Sequence, residues 1–528
     1  MNIRFIPSLK FFVLSGPMPG LGPVLLLCLA GLSLNAAPSS RHVITEFGAK
    51  GDGRTLNTAA INRAIQACHE SGGGVVVVPP GTFITGALRL LSRVELHLEA
   101  GATLKGSTNL GDYQLDGVRR GLIFAREATD LALTGMGTID GNSDAFFDPT
   151  RMHGLRNPGF DRRFTRQGEA YLPLDTVFPD GPIYYEQRPG TLVEMRRCER
   201  VAVKGLRFLN PPEWTFRLGD CDDVLVHGIT IRANLKVPNS DGIHLTTSRN
   251  VRISDCNLSC GDDTIAVTGF GDETGRAPGT QSDGAEYWSR RWGNRTGYCE
   301  NITVANCVLE SASAGVRVGY GRNPIRNCIF QNLVIHNSHR GLGVFARDEG
   351  DIENLLFQNI TIQTRLYSGH WWGKGEPIHV SAIRQNPAVP VGRIRRVTFS
   401  SILADSEGGV VIYGTPESPI EELTMHNLRL KVSAGPLALD WGGNFDLRPS
   451  TPAAEQLFKH DIPAVFIRHA TGLRLLDLDV TWGRDLPPFY TVALELEDCR
   501  GRLHGFTGRA AREGLPAIEQ RRSEVARQ

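Results

Sequence analysis

Two short segments carry acidic residues at matching points, and these residues could do chemistry. The segments are Asn239-Ser-Asp-Gly-Ile-His-Leu245 and Gly261-Asp-Asp-Thr-Ile-Ala-Val267. If both are neighbouring parallel strands, Ile243 aligns with Ile265. That alignment places Asp241 beside Asp263, with Asp262 next to both. Carboxylates so close repel one another, so at least one should have a raised pKa, and such a cluster indicates a functional role.

Glycoside hydrolysis is a reaction that needs two carboxyl groups in different protonation states. In an inverting mechanism a protonated acid donates its proton to the leaving oxygen, and a carboxylate ~6.5–9.5 Å away activates water. A calcium site is a rival use, since hard oxygen ligands also cluster. Acids that cap the turns Ser-Asp-Gly and Gly-Asp-Asp are a third interpretation. We predict that Asp241, Asp262 and Asp263 are catalytic, and we expect neither a metal nor another cofactor.

A repeated strand pattern supplies the elements that would position these acids. Similar apolar segments recur at Val201–Phe208, Val224–Ile231, Val251–Leu258, Ile302–Leu309, Cys328–Ile335 and Leu355–Ile362. The segments that start at 224 and 251 are 27 residues apart, as are those that start at 328 and 355. One coil of a parallel β-helix needs about that many residues, with coils ~4.8 Å apart. The sequence therefore predicts an all-β, right-handed parallel β-helix, with asparagines stacked at one bend: Asn306, Asn332, Asn359 and Asn427.

A short helix and several insertions complete the predicted architecture. Ile61, Ala64, Ile65 and Cys68 fall at i, i+3, i+4 and i+7, which predicts a helix with one apolar face. This helix precedes the repeats and is placed to cap their open end. Irregular spacings predict loop insertions near 142–196, 271–298, 364–390 and 431–470. Loops on a rigid scaffold commonly carry the binding surface.

The N-terminus has the layout of a secretory signal, with basic residues before an apolar run from Pro23 to Leu34. We predict a signal peptide over 1–37 and a single β-helix domain over 38–528, and we expect a secreted or periplasmic protein. A membrane anchor is the alternative, but a span needs ~20 apolar residues and this run is shorter. Lipidation at Cys28 is less favoured, because the small residue that should precede a lipoprotein cysteine is missing.

Composition limits the class of protein and its partners. The chain has 528 residues, a net charge of +1 and 59 glycines, which fits a globular protein with many tight turns. A net charge near zero gives no overall attraction for nucleic acid or an anionic membrane, so any attraction for an acidic ligand must be local. We therefore expect no nucleic-acid partner and no membrane partner after signal cleavage. The cysteines lack zinc-like spacing. Cys256 and Cys307 occupy equivalent repeat positions, which indicates a ladder of buried thiols.

Four motifs together resemble glycoside hydrolase family 28, the polygalacturonases and their relatives. They are the two acidic segments, the entry Phe47-Gly-Ala-Lys-Gly-Asp-Gly53 and the stretch Gly101-Ala-Thr-Leu-Lys-Gly-Ser107. The resemblance runs from about residue 43 to beyond residue 385. It implies an inverting hydrolase of a pectic or other acidic polysaccharide. In such an enzyme Asp262 would be the general acid, while Asp241 and Asp263 would hold the water.

The sequence departs from this family at two basic motifs. Ala314 stands where the family has the histidine of Gly-His-Gly. Gly343-Val-Phe345 stands where the family has Arg-Ile-Lys, which grips the carboxylate of the substrate. Arg317, one coil before that motif in the same outward column, and Arg347, two residues beyond it, are candidates for a shifted arginine clamp. Arginines that are merely solvated are the alternative.

Other residues are weaker candidates for sugar binding. Asn239 belongs to the first acidic motif, and His379 follows Trp371-Trp372, whose rings could stack on sugar faces. A lone histidine is as often structural. Further candidates lie in insertions: Tyr184, Tyr185, Trp288 and Trp292 as sugar platforms or loop anchors, and Arg162, Arg163 and Arg166 as a basic wall.

Two other functions stay open on the same fold. A polysaccharide lyase abstracts a proton with Lys or Arg, but the cluster has acids where a lyase needs a base. A non-catalytic carbohydrate-binding β-helix is the second alternative, since fold does not fix function. Clustered acids would repel an acidic glycan, which argues against it. The exact sugar, exo or endo action, disulfide pairing and oligomeric state are not predicted.

Overall fold

The computed structural model describes residues 40–152, 179–270, 297–369, 371–451 and 457–527. Several predicted features lie outside the described residues: the signal peptide with Cys28, the arginines 162, 163 and 166, and the tryptophans 288 and 292. The predicted division into 1–37 and 38–528 therefore stays a prediction. Within the described part of the chain, no helix is both long and apolar enough to cross a membrane.

The described strands form a right-handed parallel β-helix, as the repeat predicted. Thirty-five strands join one continuous sheet, in which the strands of neighbouring coils pair in parallel. The face with the acidic segments is called the site face. Its central strands are β1 (Val193–Arg196), β2 (Phe216–Gly219), β3 (Ile243–Thr246), β4 (Ile265–Gly269), β5 (Ala314–Gly321), β6 (Arg340–Ala346), β7 (Ile378–Ala382) and β8 (Val410–Tyr413).

The remaining strands complete the site face and build the other two faces. The site face also contains Leu88–Arg89, Ile123–Arg126 and Ile518–Arg521. The second face contains Ser40–Val43, Gly74–Val78, Val94–Leu98, Thr129–Gly135, Glu199–Lys204, Asp222–His227, Arg249–Ser254, Cys299–Ala305, Ile420–Glu421 and Glu524–Arg527. The third face contains Asp52–Leu56, Gly81–Thr85, Ala102–Gly106, Thr138–Asp140, Arg207–Leu209, Thr230–Arg232, Asn257–Cys260 and Val308–Ser311. Long strands bend from one face to the next: Ile325–Ser338, Ile352–Thr364, Ile394–Ser406, Thr424–Val432, Val465–Trp482 and Leu494–Gly508.

Inward columns of apolar side chains hold the coils together. One column on the second face consists of Val201, Val224, Val251, Ile302, Cys328, Leu355 and Val397, which are register partners and all buried. Burying one such aliphatic side chain stabilises the fold by ~1.5–3 kcal/mol. Because each coil buries its apolar face against the next, the stack forms a rigid base for the site face.

The predicted asparagine ladder is present at one bend. Asn306, Asn332 and Asn359 have φ angles of 57°, 55° and 55°. The amide of Asn332 donates to Oδ1 of Asn306 at 3.2 Å, and that of Asn359 donates to Asn332 at 2.7 Å. Asn427 continues at the same bend and contacts Ser401 Oγ at 3.4 Å. Asparagine tolerates this left-handed conformation and satisfies polar groups where the chain turns.

The N-terminal helix and the thiols also follow the sequence patterns. Helix α1 (Thr58–Glu70) buries Ile61, Ala64, Ile65 and Cys68 and contacts the first strands of the second face. Asn257 pairs with Val308, so the preceding residues Cys256 and Cys307 lie on adjacent coils, and both are buried and free.

The remaining short elements lie outside the three faces. The short helices are Ile44–Phe47, Leu110–Tyr113, Ser143–Ala145 and Ala438–Trp441. The antiparallel pairs are Gln114–Leu115 with Val118–Arg119, Phe147–Met152 with Ile183–Tyr185, and Asn444–Asp446 with Leu457–Lys459. The second antiparallel pair carries Tyr184 and Tyr185.

Candidate active site

The two acidic segments are neighbours on the site face. Strand β3 pairs with β4, and Ile243 lies opposite Ile265, as the alignment assumed. Asp241 and Asp263 stand two residues before these positions, so they lie side by side on adjacent coils. Asp241, Asp262 and Asp263, called the carboxylate cluster, are 2%, 7% and 5% exposed. Across the described ranges, no group of three or more His, Cys, Asp and Glu residues could hold a metal ion.

Hydrogen bonds fix two members of the carboxylate cluster. Oδ1 of Asp262 accepts the backbone N–H of Asp263 at 3.0 Å. Ser311 Oγ donates to the main-chain oxygen of Asp262 at 2.7 Å. Ser313 Oγ donates to Oδ1 of Asp263 at 3.2 Å, and Nε of Arg317 forms an ion pair with Oδ2 of Asp263. The following coil therefore holds both residues in place.

The carboxylate cluster contains more acidic groups than its surroundings neutralise. Burial, and next the charge of Asp263, raise the pKa of Asp262 to about 7, although Arg317 opposes them. Burial also raises the pKa of Asp241, and the charges of Asp262 and Asp263 add to that shift. Because the groups interact, protons bind to the cluster as a whole. Near neutral pH the cluster can thus hold a proton for a leaving group, as a general acid must.

Arg317 occupies the outward column that the sequence predicted. Its register partners are Ala266 on β4 and Gly343 on β6. Its guanidinium lies 4.7 Å from the centre of the Tyr320 ring. Nη1 of Arg317 is buried and has no hydrogen-bond partner in the described part of the structure. One donor group therefore remains available beside the carboxylate cluster.

Arg340 lies beside Ala314 and Gly343, the two positions at which the family has basic residues. A Cβ atom added to Gly343 would lie 2.5 Å from Cε2 of Phe345 and 3.5 Å from Cδ of Arg340. Arg340 is also the register partner of Ala314, where the family has its histidine. The sequence prediction missed Arg340. A search for cations one coil beyond Ala314 would have found it.

Two predicted substrate-binding residues are fully buried in the structure. Arg347 is fully buried, and its guanidinium donates to the main-chain oxygens of Ser381 at 3.0 Å and Leu447 at 3.2 Å. It therefore joins segments of the scaffold and does not form a clamp on an open cleft. His379 is also fully buried, burial lowers its pKa to about 4, and Nδ1 lies 3.5 Å from Oε1 of Glu376.

Asn239 lies at the exposed rim of the site, with a φ angle of 55°. Its Oδ1 accepts a hydrogen bond from Nη2 of Arg188 at 3.1 Å. Nη1 of Arg188 donates to the main-chain oxygens of Pro212 at 3.0 Å and Pro238 at 2.6 Å. The Arg188 guanidinium also lies 4.3 Å from the centre of the Tyr185 ring. The sequence prediction missed Arg188, because only the fold brings this insertion against the turn before β3.

A second buried group of charges lies two coils beyond Asp263 on the site face. It consists of Arg340, Glu376, Asp446 and Arg448 and is called the downstream cluster. Arg340 lies 3.7 Å from Oε2 of Glu376 and 3.7 Å from Oδ2 of Asp446. Nε of Arg448 donates to Oδ1 of Asp446 at 2.8 Å. Burial opposes ionisation, but Arg340 and next His379 lower the pKa of Glu376 to about 2.

Two protein families match different segments of the chain. Glycosyl hydrolases family 28 matches residues 180–438. The family described as Rhamnogalacturonase A/epimerase, pectate lyase-like, matches residues 40–155. A Vitis vinifera protein named probable polygalacturonase is 26% identical over 420 residues, which cover 75% of this chain and 76% of that protein.

Two solved structures share the fold. The family 28 exopolygalacturonase of Yersinia enterocolitica has a TM-score of 0.59 and 18% identity, covering 92% of this chain and 78% of its own. The hyperthermoactive exopolygalacturonase of Thermotoga maritima has a TM-score of 0.56 and 22% identity, covering 75% of this chain and 88% of its own. The protein thus has the right-handed parallel β-helix of these hydrolases. Over residues 180–438 the chain is similar to glycosyl hydrolases family 28.

Proposed function

We propose that the protein hydrolyses O-glycosidic bonds in a pectic or other acidic polysaccharide or oligosaccharide, with inversion at the anomeric carbon. The carboxylate cluster carries the proposal, because it combines a buried acid whose pKa is raised to about 7 with the neighbouring carboxyl group of Asp263 and with that of Asp241 on the adjacent coil. The match of residues 180–438 to glycosyl hydrolases family 28 supports the reaction class. The relatives' names, polygalacturonase and exopolygalacturonase, support a substrate that contains uronic acid.

The reaction requires the three carboxyl groups in different roles. Asp262 in its protonated form donates to the glycosidic oxygen while the bond to the anomeric carbon breaks. Asp241 and Asp263 hold a water molecule on the opposite face of the sugar. One of them accepts the water's proton as its oxygen bonds to the anomeric carbon. The products are a new reducing end of inverted configuration and a free hydroxyl group. The base then releases its proton to solvent, and Asp262 regains one from solvent.

Two arginines support recognition of an acidic sugar. Nη1 of Arg317 is an unused donor beside the carboxylate cluster. Arg188 donates to carbonyl and amide oxygens, and its nearest acidic neighbour by charge effect is Glu213, whose pKa is raised by burial although Arg188 opposes that shift. A uronate carboxylate would give such a cation an oppositely charged partner. We therefore assign substrate recognition to Arg188 and Arg317, with Asn239 holding the Arg188 side chain.

The test uses a panel of glycans with the wild-type protein and Asp262→Asn. Polygalacturonan, methyl-esterified pectin, rhamnogalacturonan and a neutral glucan are incubated while reducing ends and the absorbance of unsaturated products are followed. We expect new reducing ends without unsaturation from at least one acidic glycan, with NMR showing the inverted anomer first. Unsaturated products would make the protein a lyase, and binding without turnover would refute hydrolysis.

We also propose that the protein is exported, on the support of the apolar N-terminal run described above. Expression of the full chain followed by fractionation should place the mature protein outside the cytoplasm, with an N-terminus near residue 38. Retention of the uncleaved chain in the cytoplasm would refute this proposal.

A further inference from the structure

His244 lies in the outward column of the site face, directly beside the carboxylate cluster. Its register partners are Arg217 on β2 and Ala266 on β4, and the next residue of the column is Arg317. The imidazole is fully buried. A buried polar ring in this position must have its hydrogen-bonding groups arranged by neighbours.

Two contacts fix the orientation of the His244 ring. Nδ1 lies 2.9 Å from Oδ2 of Asp241. The ring stacks on Trp214 with centroids 3.7 Å apart and planes inclined by 24°. On the far side Nε2 lies 3.4 Å from Oγ1 of Thr268, and the same hydroxyl lies 3.0 Å from the main-chain oxygen of Leu245. The ring is therefore held between Trp214 and Asp241 and cannot turn freely.

The charges around His244 keep the imidazole neutral. Burial lowers its pKa well below the usual value, and the charges of Arg317 and Arg217 lower it further. A neutral imidazole has one N–H group, and Asp241 in the ionised form that accepts the water's proton can only accept a hydrogen bond. In that state the imidazole proton is assigned to Nδ1, which donates to Oδ2 of Asp241.

The two oxygens of Asp241 are in different situations. Oδ2 is held by His244. Oδ1 is buried and has no hydrogen-bond partner in the part of the chain that the structure describes. An unpartnered carboxylate oxygen in a buried polar site is a place for water. The orientation of the carboxyl group thus depends on the single bond from His244.

We propose that His244 is a positioning residue, whose Nδ1–H holds Oδ2 of Asp241 so that Oδ1 faces the attacking water. This inference rests on the proposed hydrolytic function. The bond also favours the ionised form of Asp241, since a donor to a carboxylate stabilises its charge. Burial and the charges of Asp262, Asp263 and Glu213 favour the protonated form of Asp241. The hydrogen bond from His244 and the charge of Arg317 both oppose them.

The test compares His244→Asn, His244→Gln and His244→Phe. The Asn amide nitrogen and the His Nδ1 are both bonded to Cγ, so Asn can keep the donor in place, whereas Gln moves it one atom further. A hydrogen bond to a charged group contributes ~1.5–3 kcal/mol, so its loss should lower kcat ~10–100-fold. We expect this fall in kcat in the Gln and Phe variants, with a KM within threefold of the wild-type value. The Asn variant should keep a kcat near that of the wild type.

The pH profile separates positioning from a merely structural role. Without the donor the pKa of Asp241 rises, so the acid limb of kcat/KM should move to higher pH by about one unit in the Gln and Phe variants. The Asn variant should keep the wild-type limb. Equal kcat and equal acid limbs in the Asn and Gln variants would overturn the proposal, even if the Phe variant does not fold. Absence of turnover by the wild-type protein on every glycan would instead refute the hydrolase and this role together.

Discussion

The carboxylate cluster and the downstream cluster are both buried on the site face, yet their acids shift in opposite directions. In the carboxylate cluster, burial and a like charge raise the pKa of Asp262 to about 7. In the downstream cluster, Arg340 lowers the pKa of Glu376 to about 2 against the effect of burial. The number of cations per acid decides between these outcomes. The first cluster has one arginine for three aspartates, since Arg317 is ion-paired to Asp263, whereas Arg340 and Arg448 face Glu376 and Asp446 in the second.

The contrast separates a reactive site from a structural one. Acids with raised pKa values cost stability when ionised and are suited to proton transfer. Acids with paired cations keep their charge and join loops to the β-helix. Asp446 shows this role, because it accepts the backbone N–H of Gly373 at 2.6 Å and the side chain of Arg448. Changes in the two clusters should therefore move stability in opposite directions.

The largest expected effect on stability is in the downstream cluster. Asp446→Asn leaves Arg340 and Arg448 without their shared carboxylate, and breaking a buried pair costs ~3–5 kcal/mol. Chemical denaturation should show a fall of that size in the free energy of unfolding. The control is Asp405→Asn, which breaks the exposed pair with Lys431 and should cost less than ~1 kcal/mol. Equal losses in the two variants would contradict the structural role of the downstream cluster.

A change in the carboxylate cluster should have the opposite sign. Because the pKa of Asp262 is raised to about 7, its ionisation destabilises the fold increasingly between the unfolded pKa and pH 7. Asp262→Asn keeps the acceptor for the N–H of Asp263 and removes the charge. At pH 8 we expect the free energy of unfolding to rise by ~1–4 kcal/mol, with a smaller gain at pH 5. A loss of stability at pH 8 would argue against a strained acid.

The pH dependence of activity should report the raised pKa of Asp262 directly. The general acid must be protonated, so kcat/KM should fall as the pH rises through about 7, and by tenfold per unit beyond it. Initial rates on the best acidic glycan between pH 4 and pH 9 would measure this limb. Constant activity up to pH 9 would show that no acid of this kind limits the reaction.

The smallest expected effect concerns the scaffold that both clusters share. Asn332→Ala removes two ladder hydrogen bonds and places alanine at a φ angle of 55°. We expect a loss of ~1–2 kcal/mol, measured by denaturation, with unchanged kcat. Asn332→Gly tolerates the backbone angle and should lose less. A larger loss for glycine than for alanine would contradict this explanation.

The fold and the carboxylate cluster were predictable because local patterns determine them. The recurring strand segments predict stacked coils, and the alignment of Ile243 with Ile265, 22 residues apart, brings Asp241 beside Asp263. The burial of Arg347 was not predictable, because outward alternation along β6 does not reveal that the segment around Leu447 covers the side chain. Glu376 and Asp446 come from separate loops, and no sequence spacing connects them.

His244 shows a different limit of the sequence prediction. It was visible in the first acidic motif three residues after Asp241, but a strand pattern places those two positions on opposite faces. Asp241 lies in the turn before β3, so the alternation does not hold there and the two side chains meet. Departures of this kind concentrate where strands begin.

The most direct test of the central claim is turnover and affinity of Asp262→Asn, measured side by side on the acidic glycan that the wild-type protein cleaves best. Removal of a general acid should lower kcat ~10²–10⁴-fold, while calorimetry should give a dissociation constant within a few-fold of the wild-type value. That result would confirm the carboxylate cluster as the reactive site. A kcat within threefold of wild type, in a folded variant, would contradict it.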